Sequence, residues 1–146
     1  MSLYRPSDES QVAELVADCA ATRQTLEIFA GGSKRALGHP VAAAHRLDLS
    51  KLDGILAYEA PELVLTARPA TPLATIEAAL REKGQMLAFE PPAWRDLLQT
   101  ENQPTLGGVL ACNLSGPRRV RAGGARSGSV PGRGGLQTQG RGLTLR

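Results

Sequence analysis

The run Thr25-Leu26-Glu27-Ile28-Phe29-Ala30-Gly31-Gly32-Ser33-Lys34-Arg35 decides how this chain is read. Its first five residues alternate in the manner of a half-buried strand, and the run then passes straight into two glycines, a serine and two cations. Glycines at the end of a strand let the backbone turn tightly and approach a ligand closely. Their N–H groups, with the Ser33 hydroxyl, can point at an anion such as a pyrophosphate and form a nest for it. The loop is not G-x-x-x-x-G-K-[ST] and lacks the third glycine of G-x-G-x-x-G, so it is neither a Walker A loop nor a Rossmann fingerprint. On turn chemistry alone, Gly-Gly-Ser after a strand equally describes a plain turn.

Working outward, Ser7 or Asp8 caps a helix running to about Thr22, with Val12, Leu15, Val16 and Cys19 on one face. Residues 45–49, 55–58 and 63–68 read as three further short strands. Thr71-Pro72 supplies an N-cap and a first-turn proline to a second helix, whose stripe is Leu73, Ile76, Ala79 and Leu80 and whose end is Gly84. Residues 85–89 form another strand, followed by Pro91-Pro92 and an irregular loop. The periodicity predicts a core of Val12, Leu15, Val16, Leu26, Ile28, Leu63, Leu65, Leu73, Ile76 and Leu80. The fold class is α+β, a small mixed β-sheet flanked by helices, with no internal repeat.

A second glycine segment follows: Pro104-Thr105-Leu106-Gly107-Gly108-Val109-Leu110-Ala111-Cys112-Asn113-Leu114-Ser115-Gly116. It reads as a glycine turn opening a short helix. The glycines permit close backbone approach, Ala111, Ser115 and Gly116 leave room for a flat or extended ligand, and Asn113 offers both donor and acceptor. An ordinary turn and helix packed on the sheet fits the same residues.

At 146 residues and 42% hydrophobic content the chain is long enough for one domain with a core. No stretch approaches the roughly 20 apolar residues that cross a bilayer, and MSLYRPSDES has no apolar signal region, so a cytoplasmic location is expected, or one peripheral to the inner membrane within a complex. Cys19 and Cys112 lack a metal-ligand spacing and read as buried thiols; His39 and His45 read as surface or loop histidines, and no metal site is expected.

Charge is uneven. Residues 1–101 carry ten Lys and Arg against fourteen Asp and Glu, whereas residues 102–146 carry seven Arg, no acid and eleven of the sixteen glycines. Such a tail suggests a nucleic-acid-binding module as an alternative function. It contains no aromatic residue on which a base could stack, which makes nucleic acid the weaker reading.

The two glycine segments carry a resemblance. The run from Leu26 to Arg35 resembles the pyrophosphate loop of the p-cresol methylhydroxylase type FAD-binding domain (PCMH-type), shared by the vanillyl-alcohol oxidase family. Pro104-Thr105-Leu106-Gly107-Gly108 with Asn113 and Gly116 resembles that family's second FAD-binding segment. Within the family, Tyr58-Glu59-Ala60-Pro61-Glu62-Leu63-Val64-Leu65-Thr66-Ala67-Arg68, Gln85-Met86-Leu87-Ala88-Phe89-Glu90-Pro91-Pro92 and Asn113-Leu114-Ser115-Gly116-Pro117-Arg118-Arg119 resemble the FAD-binding subunits of bacterial glycolate oxidases.

The resemblance implies the first half of a PCMH-type domain over residues 1–126. In it Ala30, Gly31, Gly32, Ser33, Lys34 and Arg35 would hold the FAD pyrophosphate, and Thr105, Leu106, Gly107, Gly108, Asn113 and Gly116 would line the flavin and ribityl region. Some relatives tether flavin through a histidine directly after the loop glycines; Ser33 stands there, which implies non-covalent FAD. It further implies an FAD-binding component of a 2-hydroxy-acid oxidase or dehydrogenase for glycolate or D-lactate, with a larger FAD-linked subunit and an iron–sulfur subunit as partners. No residue present has a catalytic role on this reading.

Residues 127–146 depart from the family as an atypical Gly/Arg-rich segment. Ser127-Gly128-Ser129-Val130-Pro131-Gly132-Arg133-Gly134-Gly135 opposes the strand expected there. Family-like sequence resumes around residues 136–145, with Gln139-Gly140-Arg141-Gly142 as a hairpin turn. A chain lacking the remaining strands is expected to bind FAD weakly on its own, and a non-functional fragment is the second alternative.

Overall fold

The computed structural model describes residues 1–92, 94–113, 115–117, 119–122, 124–125, 136–139 and 142–145. The chain begins with a short strand, β1 (Ser2–Tyr4), and the helix α1 (Glu9–Ala21). Asp8 caps that helix, its Oδ1 accepting the Gln11 N–H at 2.9 Å, while Gln11 Oε1 accepts the Ser7 N–H at 2.9 Å. One orphan donor at the helix start is thereby satisfied, and the residue before the cap is tied to the first turn. Strands β2 (Leu26–Phe29) and β3 (His45–Asp48) then complete a parallel sheet in the order β1-β3-β2. Leu26 pairs with His45 and Phe29 with Asp48, so β2 delivers the glycine loop at the same end of the sheet where β3 finishes.

Strands β4 (Ile55–Glu59) and β5 (Val64–Ala67) form an antiparallel pair, joined through a 3-10 turn at Ala60–Glu62. The sheet continues through β7 (Gly142–Leu145) to β6 (Leu136–Gln139), in the order β4-β5-β7-β6. β7 lies beside β5 with Leu65 opposite Leu145, so residues 142–145 belong to the same sheet as β5. Positions 140 and 141 of the expected hairpin turn, and the predicted Gly/Pro disruption at residues 127–135, lie outside the described residues. The helices α2 (Leu73–Glu82), α3 (Arg95–Leu98), α4 (Leu106–Cys112) and α5 (Arg119–Ala122) complete the described elements.

The main core lies between the antiparallel sheet, α2 and α4. Leu73, Ile76 and Leu80 of α2 are buried at helical spacing against Leu65, Ala67, Leu87, Phe89, Leu106, Val109 and Ala125. Burying each large side chain in that group is worth about 1.5–3 kcal/mol. α2 ends in a Schellman arrangement, with the Gly84 N–H on Arg81 O at 3.0 Å and the Gln85 N–H on Leu80 O at 2.9 Å.

The α+β class and four of the expected core positions, Leu65, Leu73, Ile76 and Leu80, are thus observed. Other expectations are corrected. The strands divide between one parallel and one antiparallel sheet. Val16 is 41% exposed, Ile28 58% and Leu63 63%, and Cys19 is the buried residue of α1. Leu63 sits in the left-handed region at φ 58°, where the chain reverses into β5, and its side chain is thrown outward. Residues 85–89 form no strand, although Leu87 and Phe89 are both buried. Pro72 rather than Thr71 is the N-cap of α2. The fully buried Thr71 instead uses Oγ1 to accept the Gly54 N–H at 3.0 Å and to donate to Gly54 O at 3.1 Å. Cys112 is exposed, and His45 is a half-buried strand residue packed edge-on to Tyr4 and bonded to Gln24.

Asp48 ties the C-terminal end of β3 to that of β1. Its Oδ2 accepts Arg5 Nε at 3.0 Å and its Oδ1 the Ser50 N–H at 3.0 Å. Burial alone would raise its pKa, but the Ser50 hydrogen bonds and the Arg5 guanidinium together hold it below the ordinary aspartate value. A carboxyl with a depressed folded-state pKa contributes stability above its unfolded value, and the contribution is lost as pH falls through the folded one. The Asp48→Asn variant is expected to be less stable at pH 7, by about 1 kcal/mol, and to show a shallower loss of stability below about pH 4. Urea unfolding of both proteins across that range tests this; parallel acid limbs would refute it.

Candidate functional site

β2 carries Phe29 to the edge of the parallel sheet, and the chain then turns through Ala30, Gly31 and Gly32. Gly32 has φ +67°, a conformation that costs an L side chain about 1–2 kcal/mol. Gly31 is required for a different reason. A Cβ there would overlap the carbonyl oxygen of Gln103 and stand 3.1 Å from Thr105 Cγ2. The loop therefore lies directly against the segment that opens α4.

That segment is held by main-chain bonds to the start of α2. The Leu73 N–H donates to Pro104 O at 3.0 Å, Leu106 N–H to Thr71 O at 2.9 Å, and Gly107 N–H to Pro69 O at 2.7 Å. Thr105 caps α4, accepting the Gly108 N–H at 3.4 Å. With this scaffold in place, residues some seventy positions apart face one cleft of about 220 Å³, lined by Ile28, Phe29, Ala30, Gly31, Gly32, Ser33, Lys34, Arg35, Gln103, Thr105, Gly108 and Cys112.

All six residues predicted in the first loop line this cleft, as do Thr105 and Gly108 of the second segment. The other four second-segment residues are placed elsewhere. Leu106 is fully buried in the core, and Gly107 packs its Cα against Pro69, where a Cβ would come within 2.9 Å. Asn113 is the exposed C-cap of α4 in the left-handed conformation, φ 47°. Gly116 donates its N–H to Glu90 O at 2.8 Å and lies against the Glu90 side chain. Ile28, Phe29, Gln103 and Cys112 are lining residues that the sequence reading did not single out. Cys112 was within reach, since it lies one helical turn beyond Gly108 on the same face.

The two glycine segments contribute differently. The first three amides after the α4 cap are all donated to protein acceptors. Among the described residues, by contrast, the N–H groups of Gly31, Gly32, Ser33 and Lys34 make no hydrogen bond. Backbone donors in half-buried residues require a partner, and four neighbouring ones in residues that line a cleft suit an anion. Lys34 makes no ion pair among the described residues, while Arg35 Nη2 is bound to Glu27 Oε1 at 2.8 Å. Glu27 also faces Arg46, whose Nε lies 3.0 Å from Oε2, an ion pair by distance without an aligned hydrogen bond. Both guanidiniums stand over the Phe29 ring, Arg35 at 5.2 Å and Arg46 at 4.7 Å. Lys34, Arg35 and Arg46 against Glu27 leave this corner with a surplus of positive charge. A diphosphate matches both the donors and that charge.

Comparison with known proteins gives the chain's family. The FAD binding domain family matches residues 2–129. Glycolate oxidase subunit GlcE of Escherichia coli (strain K12) is 42% identical over 125 residues, covering 85% of this chain and 34% of that protein. The chain thus spans about a third of that relative's length. Alkyldihydroxyacetonephosphate synthase, solved in two crystal forms, superposes with TM-scores of 0.61 and 0.62 over 84% of this chain. The matched part is 24% and 22% of those chains, at 20% and 22% identity, a likeness of fold. Among the described residues no helix is long and apolar enough to cross a membrane.

Proposed function

The chain belongs to the FAD binding domain family, and on that premise we propose that the cleft at residues 30–35 holds the diphosphate of FAD, its cofactor. The four amides of residues 31–34, which have no acceptor among the described residues, carry this reading. They supply fixed donors at no reorganisation cost, Lys34 adds a mobile charge, and Gly108 and Cys112 form the opposite wall. Bound flavin supplies the redox chemistry; the residues here bind, orient and neutralise. Ser33, in place of a tethering histidine, is consistent with non-covalent attachment. Thr105, Leu106 and Gly107 support the site by fixing α4, and Asn113 and Gly116 would serve the ribityl and flavin end beyond the cleft.

The activity belongs to a larger assembly. With GlcE named as a subunit of glycolate oxidase, this chain is the FAD-binding component of a flavin-dependent 2-hydroxy-acid oxidase or dehydrogenase that takes glycolate or D-lactate. Its partners are a larger FAD-linked subunit and an iron–sulfur subunit, in a cytoplasmic complex that meets the inner membrane peripherally. Residues 1–126 are the partial FAD-binding unit, with residues 127–146 as a distinct Gly/Arg-rich segment. The family match does not favour the nucleic-acid alternative.

Phosphorus NMR of FAD mixed with the 146-residue chain tests the site. Saturable shifts of both diphosphate resonances are expected. Gly32→Val, which forces a β-branched residue into φ +67° and against the Arg35 stem, is expected to weaken binding about tenfold with the circular dichroism unchanged. Resonances that never shift, or that shift equally with Gly32→Val, would overturn the assignment.

A further inference from the structure

We propose that Arg35 is a movable anion-binding arm, and that Glu27 is the positioning residue that holds it when no diphosphate is present. The inference rests on the reading of the cleft as a diphosphate site.

The Arg35 stem crosses the loop itself: its Cδ and Cγ lie 3.4 and 3.7 Å from the position a Cβ on Gly32 would take. Its head then returns to β2, where it meets Glu27 and the Phe29 ring. Arg35 therefore lines the cleft while its charge is spent on a carboxylate of the same chain.

What makes this engagement reversible is that both groups the Arg35 head meets, Glu27 and the Phe29 ring, are also met by Arg46. Glu27 is 16% exposed, and leaving such a carboxylate without a cation would be costly. With Arg46 at 3.0 Å it keeps a counter-charge when Arg35 departs. Phe29 likewise keeps Arg46 over its face, at 4.7 Å. Of the two arginine side chains Arg35 is the more exposed, 43% against 24%, and it is the one that lines the cleft. Exchange of Glu27 for a phosphate oxygen trades one ion pair for another, at a site where four amides without an acceptor among the described residues favour an anion. Glu27 thus competes intramolecularly with the ligand, and the site's affinity for small anions is lower than its charge would permit.

A double-mutant cycle read by calorimetry decides this, with inorganic pyrophosphate titrated at low salt into the 146-residue chain, Glu27→Gln, Arg35→Gln and the double variant. Glu27→Gln is expected to tighten binding about two- to fivefold, the range of an exposed ion pair. Arg35→Gln is expected to weaken binding, and the gain from Glu27→Gln to vanish in its background. Glu27→Asp, which keeps the charge but draws it back from Arg35, is expected to tighten binding as well. A gain that survives in the Arg35→Gln background, or one absent from Glu27→Asp, would reduce Glu27 to a simple field effect and overturn the arm. No pyrophosphate binding by the unmodified chain would remove the arm and the cleft reading together; binding with a flat cycle removes the arm alone.

Discussion

Replacing Gly31 by alanine is expected to displace the loop of residues 30–35 and to abolish pyrophosphate binding, although it adds a single methyl group. The added carbon would overlap the carbonyl oxygen of Gln103 and crowd Thr105 Cγ2 at 3.1 Å. Neither neighbour can give way cheaply. Gln103 precedes Pro104 and Thr105, which are fixed by the bond from the Leu73 N–H to Pro104 O and by the cap of α4. Overpacking against a side chain usually costs about 1–3 kcal/mol, and a backbone obstacle places this case at or above the upper end. The loop therefore moves, and the four amides lose their present placement in the cleft lining. Gly38→Ala is the control. It lies in the left-handed region at φ 87° with nothing within 4 Å of the added carbon, so it loses about 1–2 kcal/mol of local conformational energy without touching the cleft. Thermal melts and pyrophosphate titrations of the two variants should diverge: Gly38→Ala binds like the parent, and Gly31→Ala does not. Equal binding by both would mean that contact between the loop and Gln103 is unimportant to the site.

The same contact shows where sequence reading stops. Helix α2 was legible because Leu73, Ile76 and Leu80 recur at helical spacing and Gly84 closes the last turn, all local information. The strand β1 was not, since three residues offer no periodicity and their pairing partner lies some forty positions away in β3. At residues 85–89 the alternation was real but reported only burial. Leu87 and Phe89 are buried in the core while the backbone pairs with no strand among the described residues. Periodicity identifies which side chains leave water, and it is silent on which backbone groups pair. The partition of strands between two sheets is a long-range matter of that second kind. The loop residues of the site were visible as chemistry, but their meeting with Gly108 and Cys112 depends on the pairing of residues 69–73 with 104–107. Gln103 could not be found by type at all, because it contributes a carbonyl that any residue would supply.

Expressed alone, the 146-residue chain is expected to emerge from gel filtration without stoichiometric FAD. The cleft of about 220 Å³ is smaller than the range of roughly 300–1,000 Å³ typical of pockets that engulf a small organic ligand. It offers donors for the diphosphate, whereas Leu106 and Gly107, expected beside the flavin, are committed to the core and to Pro69. An extended dinucleotide held at its centre incurs most of the cost of being ordered while its two ends gain little contact. An affinity near the millimolar level, about 4 kcal/mol, is the scale such a partial grip supports. It is too weak to survive separation. The attraction that remains is electrostatic and partly exposed, so it should fall as salt rises. Absorbance in the flavin bands of the eluted protein measures the outcome directly, with phosphorus NMR at low and high salt detecting the weak complex in parallel. A yellow one-to-one complex that persists through the column would show that the described cleft and its surroundings suffice to enclose the cofactor, and that the diphosphate corner is only part of the site this chain provides.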